Sequence, residues 1–391
     1  MISEEEARGR ILEHVRPCPT EELSIFEALN RFAAQDYLAS LPLPAFDNSA
    51  MDGYAVISAE CRSGARLRVV GEQPAGINRH LHVGAGEAVR IFTGAPVPSG
   101  SDAVIMQEDV TRDGDAIVVG AEVATGEFVR KRGCDLAEGQ KIVSRGEMLR
   151  AGTIALLASQ GLARVAVGGT VSAAIVATGN ELVPPGDKLR SGQIYESNSA
   201  VLNALLFSVG ARVVSIRHSA DDASALQETI AEAANANVVI ISGGVSVGEH
   251  DLVQSTLRRL GAMIDIWRVA IKPGKPFLFA KLGDSLVFGL PGNPVSAFVT
   301  FLKFVRPAIL KMMGASVLDL PKVRARLTVD LHNEGERVHY MRGCLAAGDF
   351  TPVGVQESHA LYGLSRANAL LPVAPHGRIW AGAEVDVEVW D

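Results

Sequence analysis

The sequence predicts a multidomain protein that combines one α/β domain with two β domains. From Val171 onward, apolar β-branched runs alternate with glycine-bearing loops and amphipathic segments, a pattern typical of an α/β sheet. Residues 45–138 and 320–391 instead contain short strand-like runs separated by Gly, Pro and Asp. A chain of 391 residues also exceeds what one hydrophobic core usually fills. We therefore expect four domains: residues 1–44 with 139–169, a helical and linking domain; residues 45–138, an all-β insertion; residues 170–318, the α/β domain; and residues 319–391, a C-terminal β domain.

The composition is that of a globular protein, with 48% hydrophobic and 21% charged residues. A net charge of −7 argues against general binding to nucleic acid or to anionic membranes. The four cysteines stand far apart without a Cys-x-x-Cys pair, which argues against a disulfide framework or zinc site and favours a reducing compartment. The first residues are acidic and unlike a signal peptide, and charges interrupt the most apolar late helix, residues 295–313. We expect a cytoplasmic protein that does not span a membrane.

Two capping boxes, Ser3 with Glu6 and Ser24 with Glu27, predict helices near the start of the chain. The prolines of residues 41–44 require an extended segment that leads into the β insertion. Residues 139–169 return to mixed character, with a small helix near 153–159. We expect this piece to pack on the N-terminal helices, which makes the β domain an insertion.

Within the insertion, Asp113-Gly114 is typical of a hairpin turn. The strand-like runs are residues 67–70, 88–92, 103–107 and 116–119. The α/β domain has strands at 171–177, 212–216, 238–241 and 285–290, helices at 200–209, 223–234 and from 251 and 295, and a hairpin-like segment at 264–282. Alternating residues at 323–329 and 385–389 predict a small barrel or sandwich at the C-terminus.

Three glycine-bearing loops follow predicted strands of the α/β domain. They are Thr178-Gly179-Asn180-Glu181, Ser242-Gly243-Gly244 and Leu290-Pro291-Gly292-Asn293-Pro294. Loops after parallel strands lie at one edge of a sheet, so we expect all three to converge on one anion-binding crevice. Gly292 and Asn293 also precede a helix, whose unpaired N–H groups would face the same crevice. The simpler alternative is that each loop is an ordinary βα turn.

Lys272-Pro273-Gly274-Lys275 predicts a second anion-binding feature. Pro273 and Gly274 fit the centre of a type II turn, which would bring the flanking lysines within about 7 Å at Cα. Two ammonium groups that close repel by about 1 kcal/mol in water, and a bound oxyanion would reverse that cost. Arg268 could add a third positive group. An exposed hairpin tip with solvated lysines is the alternative.

Carboxylates facing such a pocket could hold Mg²⁺, which bridges carboxylate and phosphate oxygens. The candidates are Asp52, Asp135, Glu181, Asp221 and Asp251, with the Thr93 hydroxyl as a further ligand or donor. Each acid also has a simpler explanation. Asp221 and Asp251 can be helix N-caps, and Asp52 with Gly53 can form a turn. Asp135 can balance the basic run at residues 130–132, and Glu181 can face solvent. The nine histidines show no metal-binding spacing, and neither a Ser-His-Asp nor a Walker pattern occurs.

Five ordered motifs, spread over nearly the whole chain, resemble those of the molybdopterin molybdenumtransferase (MoeA) family, to which the E domain of gephyrin also belongs. The motifs are FDNSAMDGYA (46–55), TGAPVP (93–98), SGGVSVG (242–248), IKPGKP (271–276) and GLPGNP (289–294). The resemblance implies an elongated homodimer. Each subunit would have a three-layer α/β molybdopterin-binding domain, an all-β insertion and a C-terminal β-barrel-like domain.

The resemblance also implies the reaction: molybdate is inserted into adenylylated molybdopterin, with Mg²⁺-dependent release of AMP. In this family, residues of the β insertion face the α/β crevice of the other subunit. The family's essential acids fall on Asp52, Asp135, Glu181, Asp221 and Asp251, its threonine on Thr93 and its lysine on Lys272.

We therefore predict catalytic, molybdopterin-binding and magnesium-binding sets. The catalytic residues are Asp52, Thr93, Asp135, Asp221, Lys272 and Lys275. The molybdopterin-binding residues are Thr178, Gly179, Glu181, Ser242, Gly243, Gly244, Ser246, Arg268, Pro291, Gly292, Asn293 and Pro294. The magnesium ligands are Glu181, Asp221 and Asp251.

Two departures from the family pattern limit these assignments. Arg268 stands where lysine is usual, which keeps the charge but not the geometry. Residues 358–363 lack the serine pair expected near Tyr362, so no pocket residue is predicted there.

Two other functions are consistent with parts of the chain. A molybdopterin adenylyltransferase resembles residues 171–314 alone, and the additional β domains argue against it as the sole function. A non-catalytic scaffold, like the receptor-binding gephyrin E domain, would not need the full set of acidic residues. As partners we expect adenylylated molybdopterin, molybdate, a second copy of the chain, molybdopterin adenylyltransferase and molybdoenzymes, and neither nucleic acid nor membrane.

Overall fold

The computed structural model describes residues 1–245 and 252–390, so the predicted site residues Ser246 and Asp251 lie outside the described residues. The chain forms two compact units. The large unit comprises Met1–Gln35, Arg145–Ile154 and Ala163–Asp391, and the small unit comprises Asp36–Ser144 and Ala155–Leu162.

The first capping box forms the predicted helix, α1 (Glu4–His14), in which the Ser3 hydroxyl accepts the Glu6 N–H at 3.0 Å. The second predicted helix is wrong. The second capping box starts only a three-residue 3-10 turn (Ile25–Glu27), capped by the Ser24 hydroxyl, and a strand, β1 (Glu21–Ser24), precedes it. β1 pairs antiparallel with residues 164–167, and after the turn the Asn30 and Ala33 N–H groups donate to the Leu149 and Glu147 carbonyls, so this backbone is satisfied without a helix.

The small unit is built on a six-stranded sheet with apolar residues on both faces. The strands of the small unit, inside and outside this sheet, are β2 (Tyr37–Leu38), β3 (Asn48–Ser49), β4 (Gly53–Val56), β5 (Arg66–Gln73), β6 (Glu87–Ile91), β7 (Ala103–Met106), β8 (Val110–Asp113), β9 (Ala116–Val119), β10 (Val129–Arg130) and β11 (Lys141–Val143). The sheet order is β7-β4-β6-β5-β9-β8. Asp113 pairs with Ala116, so the predicted hairpin is present.

The α/β domain has the predicted three layers, in agreement with the expected fold class. The elements from residue 151 to 312 are α2 (Ala151–Ser159), β12 (Arg164–Val167), β13 (Ser172–Thr178), β14 (Leu182–Val183), β15 (Ile194–Tyr195), α3 (Asn198–Ser208), β16 (Arg212–Ser219), α4 (Ala223–Ala233), β17 (Val238–Ser242), α5 (Leu252–Arg259), β18 (Met263–Trp267), β19 (Ile271–Lys272), β20 (Leu278–Leu282), β21 (Ser285–Leu290), α6 (Pro294–Thr300) and α7 (Arg306–Met312), with a π-helical stretch (Phe301–Val305) between the last two.

The central sheet has the order β16-β13-β17-β21-β20-β18. Its first four strands are parallel, and β20 and β18 are antiparallel, which gives the predicted hairpin. Alternate strand residues enter two separate cores. Ile240 and Phe288 pack on the face that α3 and α6 cover, whereas Ile241 packs on the face that α4 and α5 cover. Burial on both faces explains why these strands are continuous apolar runs.

The C-terminal domain is a closed five-stranded barrel, which decides between the predicted barrel and sandwich. Its elements are β22 (Lys322–Leu327), β23 (Leu331–His332), β24 (Val338–Ala346), β25 (Asp349–Pro352), α8 (Leu361–Leu364), β26 (Ala369–Val373), β27 (Arg378–Ile379) and β28 (Glu384–Val389). The order β24-β25-β22-β28-β26 closes through the pairing of β26 with β24. The short strand β19 of the α/β domain joins β24 in parallel, with Ile271 opposite Val338 and Lys272 opposite His339. None of the helices in the described ranges combines the length and apolarity needed to cross a bilayer.

Candidate active site

The three predicted glycine loops meet at one edge of the central sheet. β13, β17 and β21 are adjacent and parallel, with Ala177 opposite Ser242 and Ser242 opposite Leu290. The Gly243 N–H donates to the Leu290 carbonyl at 3.2 Å, so the second loop is joined to the third. The loops therefore form one continuous crevice wall and are not three separate turns.

Gly243 must be glycine because the chain passes so close to Thr178. Its φ is +91°, and a Cβ at this position would lie 2.4 Å from the Thr178 carbonyl oxygen. Gly244 is also in the left-handed region, at φ +65°, and its Cβ would lie 2.7 Å from the Val253 side chain. These two glycines leave the backbone of the second loop uncovered by side chains.

Asn198 at the start of α3 links the second and third loops, a role that the sequence interpretation missed. Its side chain is buried, and Nδ2 donates to Ser242 Oγ at 2.8 Å and to the Gly292 carbonyl at 2.7 Å. An asparagine at a helix start resembles an ordinary cap in the sequence. Nothing in the sequence alone distinguishes it from one.

Asp221 is bound to the first loop and does not cap a helix. Its Oδ1 accepts the Thr178 hydroxyl at 2.8 Å, and its Oδ2 accepts the Asn180 N–H at 3.1 Å. The N-cap of α4 is the next residue, Asp222, which accepts the N–H groups of Ser224 and Ala225. The capping explanation for Asp221 is therefore wrong, and its carboxylate belongs to the crevice wall.

Glu181 lies on the same loop as Thr178 and is exposed, as the simpler explanation expected. The residues at positions 1–245 and 252–390 contain no cluster of three His, Cys, Asp or Glu side chains that could hold a metal. Mg²⁺ usually keeps several waters and is bound by one or two protein carboxylates together with substrate phosphates. Each Asp221 oxygen accepts one hydrogen bond and so retains a lone pair. Asp221 and Glu181 thus fit a cation shared with a substrate, and do not fit an all-protein metal site.

The third loop is fixed by a segment that precedes α8. Asn293 is the N-cap of α6, and its Nδ2 donates to Ser358 Oγ at 2.9 Å. The Val295 N–H donates to the Ser358 carbonyl at 3.1 Å, so this helix-start donor is already paired and does not face the crevice as predicted. Ser358 is a site neighbour that the sequence prediction omitted. Pro291 is buried beneath the loop, whereas Gly292 is exposed.

Lys272 and Lys275 line one cavity of about 250 Å³, although the turn between them differs from the prediction. The Lys272–Pro273 peptide bond is cis, and φ of Gly274 is +122°, well beyond the value of about +80° for that position of a type II turn. The other residues that line the cavity are Met1, Ala270, Gly335, Glu336 and Arg337.

The third positive group of this cavity is Arg337 and not Arg268. The Arg337 Nη1 donates to the Ile271 carbonyl at 2.8 Å, which fixes the guanidinium beside β19. Arg268 instead lies over the Trp267 ring, with its guanidinium carbon 5.9 Å from the ring centroid. Arg337 is 65 positions from Lys272 in the sequence, so only the pairing of β19 with β24 reveals its role.

In the small unit, Asp52 is held by Thr93. One carboxylate oxygen, Oδ1, accepts both the Thr93 N–H at 2.7 Å and the Thr93 hydroxyl at 2.8 Å. These two bonds, with a smaller contribution from the Arg90 charge, lower the pKa of Asp52 below its ordinary value. The following glycine, Gly53, begins β4, where a Cβ would lie 1.9 Å from the Ile105 carbonyl oxygen. The interpretation of Asp52-Gly53 as a simple turn is therefore wrong.

Asp135 is exposed and is not the counter-charge of the basic run before it. Asp47 has that role, because it accepts Lys131 Nζ at 2.9 Å and the Arg132 N–H at 2.7 Å. These contacts, the Arg132 N–H foremost, lower the pKa of Asp47. The Asp135 backbone N–H donates to the Leu43 carbonyl at 3.0 Å, and its carboxylate points to no charged partner among the described residues.

Three family models match consecutive parts of the chain. The MoeA N-terminal region (domain I and II) matches residues 2–161, a probable molybdopterin binding domain matches residues 174–311, and the MoeA C-terminal region (domain IV) matches residues 324–390. The matches follow one another in the order of the domains and leave only short gaps between them.

Curated relatives and solved structures are similar over the full chain. A molybdopterin molybdenumtransferase of Haemophilus influenzae is 36% identical, covering 99% of this chain and 98% of the relative. A molybdopterin molybdenumtransferase of Nostoc sp. is 38% identical, covering 95% of this chain and 88% of the relative. A crystal structure of the molybdopterin biosynthesis MoeA protein from Pyrococcus horikoshii superposes with a TM-score of 0.85 at 30% identity, covering 100% of both chains.

Proposed function

Because this chain belongs to the MoeA family, we propose that its crevice inserts molybdate into adenylylated molybdopterin and releases AMP. The chain is a transferase of molybdenum cofactor biosynthesis. One observation supports the proposed chemistry above the others. Three loops meet at one edge of the sheet: Asp221 is bonded to the first, the second exposes a glycine backbone, and Asn198 links the second to the third.

We propose that molybdate binds in the cavity of Lys272, Lys275 and Arg337. The cavity of about 250 Å³ is larger than a tetrahedral oxyanion, and three of its side chains are cationic. Glu336 is the single carboxylate among its lining residues, so the net charge favours a dianion. Arginine and lysine both bind oxyanions, the arginine with a fixed pair of parallel donors.

The loop of Ser242, Gly243 and Gly244 is suited to the phosphate end of the pterin substrate. Its two positive-φ glycines let a phosphate approach the backbone N–H groups without meeting a side chain. The third loop, at Gly292 and Asn293, would extend the same wall. Substrate binding there would be mainly electrostatic positioning, as in other phosphoryl-transfer sites.

We propose that Mg²⁺ binds between Asp221, Glu181 and a substrate phosphate, with Asp251 as a further ligand outside the described residues. Thr178 and Asn180 fix the Asp221 carboxylate, so one lone pair on each oxygen is held in place for a cation. When bound, Mg²⁺ would neutralise the charge that develops on the phosphate as AMP leaves.

We also propose a homodimer with shared sites, in which Asp52, Thr93 and Asp135 of one subunit complete the crevice of its partner. The support is the family pattern, together with an Asp52 carboxylate that Thr93 fixes and that forms no ion pair among the described residues. The ionised Asp52 carboxylate would then act on a substrate that is bound in the crevice of the partner subunit. We also expect contacts with molybdopterin adenylyltransferase, which would supply the adenylylated substrate, and with molybdoenzymes, which would receive the product.

The test is a reconstituted assay with adenylylated molybdopterin, molybdate and Mg²⁺, in which released AMP is measured by chromatography. We expect AMP release that depends on molybdate and Mg²⁺ in wild type and is lost in Asp52→Ala with an unchanged melting temperature. No release by a folded wild-type protein would reject the proposal. Consumption of ATP with molybdopterin, independent of molybdate, would show an adenylyltransferase instead.

A further inference from the structure

His339 lies on the barrel strand β24, opposite Lys272, which lines the proposed oxyanion cavity. Lys272 is its partner in the parallel pairing of β19 with β24, so the two side chains are on the same face of the sheet. Arg337 immediately precedes β24 (Val338–Ala346), and its Nη1 donates to the Ile271 carbonyl of β19 at 2.8 Å. Lys272 and Arg337 both line the cavity.

The His339 ring is 5% exposed, and one of its nitrogens has no partner. A backbone hydrogen bond to Gln356 engages the ring, while Nε2 is buried without a hydrogen bond among residues 1–245 and 252–390. Buried polar atoms almost always have partners, and this unpaired nitrogen belongs to a residue opposite a lysine that lines the cavity. The unpaired Nε2 of His339 is therefore a candidate atom for hydrogen bonding to a ligand.

Positive charge surrounds this ring from both strands. Burial first, and then the charges of Lys272, Arg342 and Arg337, lower the pKa of His339 to about 4. Arg342 is itself fully buried, and its Nε and Nη1 lack partners among the described residues. At neutral pH the free protein thus holds a neutral His339 among three cationic side chains.

We propose that His339 takes up a proton when an oxyanion binds beside Lys272 and then donates its Nε2–H to that oxyanion. The inference rests on the oxyanion site proposed above. The anion offsets the three positive charges that, after burial, keep the ring neutral, and it supplies the acceptor that Nε2 lacks. No residue of the MoeA-like motifs quoted above predicts this role, because His339 lies between them and the C-terminal segment.

The proton uptake has a defined pH signature. A bound-state pKa above the free value of about 4 means that oxyanion affinity rises as pH falls through the bound pKa. The affinity then levels off below the free pKa. Between the two values the affinity gains up to about tenfold per pH unit.

The experiment is isothermal titration of molybdate, and separately of tungstate, into the full chain from about pH 5.5 to about pH 7.5, where a histidine can change charge. At each pH, buffers that are not oxyanions and that differ in ionisation heat report the protons taken up. His339→Gln removes the titrating ring, and His332→Gln removes an exposed barrel histidine as the matched control. Molybdate's own protonation contributes equally to all three proteins.

We expect wild type and His332→Gln to take up protons, approaching about one per bound oxyanion as pH falls. His339→Gln should bind with a flat pH dependence and without this extra uptake. Equal uptake and equal slopes in wild type and His339→Gln would overturn the role of His339 while leaving the oxyanion site standing. No binding of either oxyanion to wild type would overturn the proposed site and this inference with it. A second variant, His339→Asn, checks that a smaller amide at this position gives the same flat profile when His339→Gln melts early.

Discussion

Asp52 and Thr93 form a pair in which a single carboxylate oxygen accepts two hydrogen bonds from one residue, from its N–H at 2.7 Å and from its hydroxyl at 2.8 Å. The pair is exposed, so it contributes little to folding. Its effect is to keep Asp52 ionised and in one orientation, because both bonds favour the charged form and lower the pKa.

Thr93→Val removes the hydroxyl bond and retains the N–H bond. The pKa of Asp52 should then rise toward its ordinary value, because one of the two bonds that lower it is gone. A lowered pKa extends activity to lower pH, so the acid limb of AMP release should move to higher pH in Thr93→Val. Thr93→Ser keeps the hydroxyl and should keep the wild-type limb. Coincident acid limbs in all three proteins would exclude Thr93 as the group that sets Asp52.

Asp221 and Asp222 are adjacent, but their substitution by alanine should have different effects on activity and on stability. Asp221→Ala removes the acceptor of Thr178 and Asn180, and AMP release should fall by about 100-fold or more, as for the loss of a positioned charged group. Asp222→Ala removes the α4 cap and should lower the free energy of unfolding by about 1 kcal/mol with activity close to wild type. Denaturant melts and the AMP assay on both variants separate the two roles. Equal activity losses would contradict this assignment.

Asn198→Ala should remove the link between the second and third loops of the crevice. It leaves Ser242 Oγ and the Gly292 carbonyl without their donor, which should cost about 1–3 kcal/mol in unfolding free energy. The binding of molybdopterin should weaken as well, since both loops lose their common link. Asn235→Ala, at an exposed asparagine, should stay within about 0.5 kcal/mol of wild type. An Asn198→Ala protein as stable and as tight-binding as this control would show that the link is dispensable.

Gly243 and Gly261 have similar backbone conformations, at φ +91° and +79°, but different surroundings. Gly261→Ala meets no atom within 4 Å and should cost only the left-handed conformation, about 1 kcal/mol. Gly243→Ala adds the clash with the Thr178 carbonyl, so it should be clearly more destabilising and should reduce AMP release. Thermal melts of the two variants provide the comparison. Equal melting temperatures would mean that the second loop moves away from Thr178 at little cost.

Lys272→Met should weaken molybdate binding by at least about tenfold, because it removes a charge-assisted donor from the cavity. Lys275→Met should act in the same direction. Lys322→Met, at an exposed position on the barrel, is the matched control and should bind like wild type. Direct binding by calorimetry gives each Kd, and unchanged Kd values in both cavity variants would place the oxyanion elsewhere.

Much of the α/β domain could be predicted because its determinants are local. The run of residues 238–241 is apolar on both faces, and glycines follow it directly, so strand and loop are visible in the same ten residues. The convergence of the three loops could also be predicted from the sequence, because the carboxyl ends of parallel strands lie at one edge of a sheet.

The errors arose where a contact distant in the sequence decides between local alternatives. Ser24 and Glu27 make a good capping box, yet the residues after them bond to residues 147–149, so only a short 3-10 turn forms. Asp221 and Asp222 are equally good caps in the sequence, and only the Thr178 loop distinguishes them. Arg337 and His339 carry no motif, and only the pairing of β19 with β24 brings Arg337 to the cavity and His339 opposite Lys272.

The two-residue strand β19 is thus a shared boundary: Ile271 is in the main core of the large unit, while Lys272 pairs with a barrel residue. The cationic lining of the cavity is assembled from two domains, and neither domain alone contains all of it. An α/β domain transplanted without its barrel would keep the glycine loops and Asp221 but lose Arg337 and the strand that aligns Lys272. If molybdate binds in this cavity as proposed, its binding depends on both domains, because the barrel segment supplies Arg337 and aligns Lys272.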